Sequence, residues 1–180
     1  QTLCDGIDRR GNSSPLYFKH SYNQEYKTNY KSSKSYRHYA SRIAGLKKNI
    51  PILGICFGHQ FLAHIFGGKV ETLWQNSKKI GIRKVKVLQN NLFGVSKKDF
   101  LIYSHREGVT RCPDNFEIAA TSNMVDIEGL IHKTLPIWTF QPHIEASKTF
   151  SKRIGLSTDE FDKCDIFGKQ LLKSFLNKLK

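Results

Sequence analysis

An α/β domain with a mostly parallel central sheet is what this 180-residue sequence predicts. Three observations carry the expectation. Pro51-Ile52-Leu53-Gly54-Ile55 is a short continuous apolar run, the mark of a strand covered on both faces. A helical stretch follows it at once, and further runs rich in β-branched and aromatic residues come after that. The chain then closes in a helix whose apolar residues return at helical spacing. A chain of this length buries roughly 70% of its unfolded surface. It needs neither disulfides nor a structural metal to hold a core.

Two segments divide the chain, 1–48 and 49–180. Between residues 9 and 50 stand ten lysines and arginines against the single acidic Glu25, with six of the seven tyrosines. That stretch supplies much of the formal charge of +14. Its alternation of Tyr17, Tyr22, Tyr26, Tyr30, Tyr36 and Tyr39 with lysines and arginines suits a phosphate backbone and stacked bases. The plainer reading, favoured for any charge run, is a solvated, lysine-rich insertion or loop.

From residue 49 the elements follow in order. After the strand at 51–55, Phe57 to Phe66 reads as a helix closed by Gly67-Gly68. Ile80–Leu88, Phe100–Tyr103, Phe116–Thr121, Gly129–His132 and Ile137–Gln141 read as strands, separated by turn-formers such as Asn90-Asn91 and Pro113-Asp114-Asn115. Ser157 and Glu160 form a capping box. Behind it, Phe161, Cys164, Gly168, Leu171, Phe175 and Leu179 make one buried stripe.

No apolar stretch approaches the roughly 20 residues that span a bilayer, and the first residues lack a signal-peptide core. Cys4, Cys56, Cys112 and Cys164 are too widely spaced for CxxC chemistry or a compact disulfide framework. These features favour a cytoplasmic setting. The only methionine is Met124, which points to processing or to a piece of a longer product.

Cys56 is the residue around which chemistry gathers. It stands where a buried strand gives way to a helix, with Gly54 two positions before and Gly58 two after, the cysteine form of a nucleophile elbow. The turn is so tight that flanking side chains would collide. At the helix N-terminus the sulfur meets backbone N–H groups and the positive end of the dipole, which favour an anion. The N–H of Phe57 would point at the oxygen of a carbonyl under attack. The plainer alternative is a small buried core cysteine.

A nucleophilic thiol needs a base, and the base needs an anchor. His143 and Glu145 lie two apart where a strand leaves the sheet, so in extended chain they face the same way. His59 and His64 are five apart on one helix, a poor metal spacing. No metal and no cofactor are expected. His132 and His38 read as surface or packing residues, Trp74 and Trp138 as core or pocket wall, and Cys4, Cys112 and Cys164 as inert thiols.

These residues carry a resemblance. Residues 51–60, Pro51-Ile52-Leu53-Gly54-Ile55-Cys56-Phe57-Gly58-His59-Gln60, resemble the nucleophile motif of the class I glutamine amidotransferases. Gln141-Pro142-His143-Ile144-Glu145 resembles that family's Q-F-H-P-E motif, with Pro142 and Ile144 in place of its phenylalanine and proline. Ile102-Tyr103-Ser104-His105-Arg106-Glu107-Gly108-Val109 resembles the substrate loop between them, and is most similar to the amidotransferase part of GMP synthetase. The match runs from about Pro51 to Ser147.

The resemblance implies a flavodoxin-like three-layer sandwich and hydrolysis of L-glutamine by a Cys56, His143, Glu145 triad. Gln60, Ser104 and His105 would hold the substrate, and the ammonia would pass to a separate synthetase. Family members usually open with a strand, a helix and a second strand ending in a glycine-rich loop. Here the chain starts too late for the first strand, and residues 1–48 would hold a remnant of that βα unit plus an insertion. Gly11 or Asn12 would then supply the second oxyanion donor. Two other functions fit the residues: a γ-glutamyl peptide hydrolase with the same triad, and a truncated, inactive domain that binds nucleic acid or an acidic protein through residues 9–48. Glutamine turnover against γ-glutamyl dipeptides separates the first pair. Salt-sensitive nucleic-acid binding would mark the last.

Overall fold

The computed structural model describes residues 50–88 and 96–179. The basic tyrosine-rich segment with Gly11 and Asn12, together with Cys4, His38 and the Asn90-Asn91 turn, lies outside the described residues.

The described chain runs β1 (Ile52–Ile55), α1 (Phe57–Ile65), β2 (Lys69–Thr72), β3 (Lys79–Val87), β4 (Lys97–His105), β5 (Glu107–Arg111), β6 (Phe116–Ser122), β7 (Gly129–His132), β8 (Ile137–Phe140), α2 (Lys148–Arg153) and α3 (Thr158–Leu176). Six strands form one sheet in the order β1-β8-β7-β6-β3-β4, and β2 pairs with β5 in a separate two-stranded sheet.

The sheet corrects the expectation of mostly parallel strands. Among the described residues only β1 and β8 run parallel, while β8–β7, β7–β6, β6–β3 and β3–β4 are all antiparallel. The reason lies in the connections. Residues 133–136 join β7 to β8 and 123–128 join β6 to β7. Such short links close only antiparallel pairs, since a parallel pair needs a crossover of a dozen residues or more. β1 and β8 have most of the domain between them and so can lie side by side in one direction.

Alternation along β1 sends its residues to two cores. Ile52 packs with Leu62, Ala63, Leu130 and Ile137 on the α1 side. Leu53 packs with Val85, Tyr103, Phe140, Phe167 and Phe175 on the α3 side. A third cluster joins Ile102 to Leu156, Phe161 and Cys164, where α3 lies against β4 at the sheet's end.

The predicted strands at 80–88, 100–103, 116–121, 129–132 and 137–141 coincide with β3, β4, β6, β7 and β8, with β4 much longer than expected. α3 carries both hydrogen bonds of the capping box at Ser157 and Glu160. Its stripe is buried through Phe175, but Leu179 lies beyond the helix and is exposed. β2, β5 and the six-residue α2 are additions to the sequence reading.

Candidate active site

Parallel pairing of β1 and β8 decides where the site is. Both strands point the same way, so the residues that follow them, 56 and 141–145, emerge together at their carboxyl ends. The Cys56 N–H continues the ladder to the Phe140 carbonyl at 2.8 Å.

Cys56 sits at φ 52, ψ −103, left-handed backbone that costs a non-glycine residue on the order of 1–3 kcal/mol. It is the residue immediately before α1, and the Gln60 N–H returns to its carbonyl at 3.2 Å. Gly54 explains how the turn closes. A Cβ there would lie 2.8 Å from the Gly58 carbonyl oxygen and 2.7 Å from Leu62 Cδ1. Only a bare backbone lets β1 pass this close to the start of α1. Packing therefore aims the sulfur out of the sheet.

His143 and Glu145 project from the chain just past β8. Ile144 between them is buried in the α3-side core, so its two neighbours are left to face the sulfur side. The segment is held by the His143 N–H to the Ile102 carbonyl at 2.8 Å. α3 comes close beneath it, because Gly168 brings its backbone to within 2.7 Å, measured from the Cβ it lacks, of the Ile144 carbonyl. The His143 ring rests on Phe150 of α2 at 4.7 Å between centroids.

His143 Nδ1 bonds Glu145 Oε1 at 2.9 Å, and the ring lies near enough to the Cys56 sulfur for that sulfur to favour its charge. With Nδ1 engaged, Nε2 is the atom left for the sulfur. Burial works against a charge on this ring, which is 15% exposed. The hydrogen bonds and charges of Cys56 and Glu145 outweigh it and push the imidazole up to about 10. The ring is thus placed to carry a proton, its charge favoured by the sulfur on one side and the carboxylate on the other.

The remaining predicted positions divide. Gln60, on the first turn of α1, donates Nε2 to the Glu107 carbonyl at 2.8 Å and to Gln141 Oε1 at 3.0 Å. Phe57 opens α1 beside the sulfur and stacks on Phe61. Ser104 is half-buried near the end of β4. His105 is buried with its ring across Trp74, and Nδ1 meets the Glu107 carbonyl at 2.8 Å. Burial, with the Arg83 and His143 charges adding to it against the pull of the Glu107 carbonyl, lowers His105 to about 4. It is a neutral ring locking the β4–β5 turn. The predicted Gly11 donor lies outside the described residues.

One contact was not anticipated. Gln141, 0% exposed, donates Nε2 to the Cys56 sulfur at 3.7 Å. Its place two residues before His143 was the available signal.

The arrangement brings a thiol, an imidazole and a carboxylate together at one end of the sheet. The family model for glutamine amidotransferase class-I matches residues 27–158. A glutamine-hydrolyzing GMP synthase subunit of Methanococcus aeolicus is 40% identical over 106 residues, covering 58% of this chain and 55% of the relative. The protein of the same description from Methanocaldococcus jannaschii is 38% identical over 106 residues, with the same coverage. Among solved structures, a putative GMP synthase subunit from Thermoplasma acidophilum superposes with a TM-score of 0.60 at 27% identity, covering 81% of this chain and 64% of that one. A glutamine amidotransferase from Thermotoga maritima gives 0.58 at 27% identity, covering 88% and 68%. The chain spans about half the length of the curated relatives it matches. A family match over most of its residues, with the fold of those structures, makes this chain a member of the class I glutamine amidotransferase family.

Proposed function

We propose that the chain hydrolyses the side-chain amide of L-glutamine through a cysteine thioester and delivers the ammonia to a separate synthetase. The observation that supports this is the hydrogen-bonded pair His143–Glu145 emerging beside Cys56 at the carboxyl ends of two parallel strands. Sulfur attacks the carboxamide carbon, and the Phe57 N–H steadies the oxyanion. The His143 imidazolium gives its proton to the departing nitrogen, which leaves as ammonia, and sulfur keeps the γ-glutamyl group as a thioester. Water then attacks that carbonyl while His143 takes its proton. Collapse releases glutamate and restores the sulfur anion and imidazolium. Glu145 holds the ring's orientation throughout.

The substrate end of the site is assigned to Gln60, Ser104 and His105. Helices on both faces of the sheet support a flavodoxin-like three-layer reading of residues 49–180. The relatives' descriptions as GMP synthase subunits point to a GMP-forming synthetase as the recipient of the ammonia. A cytoplasmic location fits that role. No helix among the described residues is long and apolar enough to cross a membrane.

The test is ammonia release from glutamine by the full chain, first by itself and then with its synthetase partner. Cys56→Ala is expected to remove the release entirely. Release that persists in that variant, or a preference for γ-glutamyl dipeptides over free glutamine, would overturn the proposal.

A further inference from the structure

We infer that Gln141 is a further residue of the catalytic centre, a fixed N–H donor to the Cys56 sulfur, held in place by an amide relay that begins at the Glu107 backbone carbonyl. The inference rests on the reading of Cys56 as the nucleophile and adds a group to it.

The relay has three hydrogen bonds. Gln60 Nε2 donates to the Glu107 carbonyl at 2.8 Å and to Gln141 Oε1 at 3.0 Å, and Gln141 Nε2 donates to the Cys56 sulfur at 3.7 Å. A side-chain amide can face either way, so the direction of such a chain must be argued. Here a backbone group decides it. The Glu107 carbonyl only accepts, so the Gln60 atom facing it is nitrogen. Both hydrogens of that nitrogen are then spent, one on Glu107 and one on Gln141. The Gln141 atom facing Gln60 must accept and is oxygen. Its amide nitrogen is left facing the sulfur, and turning Gln141 over would set two donors against each other.

Gln141 is fully buried, and its own N–H bonds the Glu128 carbonyl at 2.8 Å, so its backbone is as fixed as its amide. The elements packed around the sulfur supply few other charges. His143 faces it from the segment after β8, with Glu145 behind. His105 on β4 stands close enough to feel the His143 charge. The Glu107 carboxylate on β5 is turned outward toward Arg106. α1 contributes the Gln60 amide but no acidic side chain in its first turn.

A donor at the sulfur strengthens when the sulfur is an anion and weakens when it carries an acyl group. Gln141 therefore favours the anion before attack and again when the thioester breaks. Because the relay starts at Glu107, the first residue of β5, a substrate seated against the β4–β5 turn acts on the donor through two amides.

The experiment reads Cys56 directly, independent of glutamine turnover. Alkylation by iodoacetamide is followed across pH by peptide mass, in the full chain and in Gln141→Met, which keeps the length and loses the donor. We expect the Cys56 inflection to move up in pH, with about a tenfold loss of rate at neutral pH. Gln60→Met, which frees Gln141 from its anchor, is expected to give a smaller shift of the same sign. It decides the matter if Gln141→Met does not fold. A Cys56 inflection unmoved in the folded variant overturns the relay alone. A wild-type profile with no inflection at Cys56 overturns the nucleophile reading and the relay with it.

Discussion

His143 holds its proton well above the ordinary range because two partners, Cys56 and Glu145, outweigh its burial. Glu145 is 44% exposed, so its share is moderated by solvent. Replacing Glu145 with Gln removes the anchoring charge but keeps an atom able to accept from Nδ1. The His143 midpoint should fall from about 10 toward the ordinary value, read by NMR titration of the ring. Ammonia release should drop by about tenfold to a hundredfold, less than for the thiol itself. An unchanged midpoint would mean that Cys56 alone holds the proton. At this scale the sequence was legible where geometry leaves a spacing. Gly54, Cys56 and Gly58 announce a tight turn, and His143 and Glu145 share a face through the period of two. The contacts of Gln60 and Gln141 could not be seen that way. A hydrogen bond between two amides more than 80 residues apart has no spacing, and its direction depends on a backbone carbonyl in a third element.

Between strands, the β-branched runs revealed where elements lie but not which neighbours they take or in which direction. β2 and β5 escaped for a related reason. Lys69-Val70-Glu71-Thr72 is largely exposed and Glu107-Gly108-Val109-Thr110-Arg111 reads as loop, so neither shows the apolar alternation of a half-buried strand. Arg83 is the telling case within β3. It occupies an inward position at 7% exposure, bonds Glu128 Oε1 at 2.6 Å and lies 4.1 Å over the Tyr103 ring. Glu128 is 0% exposed and takes a second bond from Ser122. The pair ties β3 to the chain entering β7, whose Glu128 carbonyl receives Gln141. Arg83→Met is expected to cost about 3–5 kcal/mol, because it strands a buried carboxylate. Urea unfolding measures this. Adding Glu128→Gln should recover part of the loss, whereas simple additivity would show that the two side chains act separately.

Over the whole molecule, histidines set opposing limits on stability with pH. His59 lies on the buried face of α1, its Nδ1 2.7 Å from Thr139 Oγ1 of β8, and burial lowers it to about 3, with the Ile127 backbone pulling the other way. His105 is lowered to about 4, again chiefly by burial. Unfolded, both rings titrate near 6.5, so between there and about 3 to 4 the unfolded chain binds more protons than the folded one. Their contribution is complete above 6.5 and is lost as pH falls through that window. His143 has the other sign. With a folded value of about 10, it contributes fully below 6.5 and progressively less as pH rises to about 10. The stability these three rings confer is therefore greatest near 6.5. Glu128 bends the acid limb the other way, since burial raises its carboxyl despite Ser122 and Arg83. A difference measurement isolates the ring from that carboxyl. Urea midpoints of wild type and His59→Gln, taken from pH 7 to pH 4, should converge as pH falls, because the variant has no ring to protonate. Parallel curves would mean that His59 accepts a proton without unfolding the domain, and the acid limb would then belong to the other lowered rings, His105, His64 and His132.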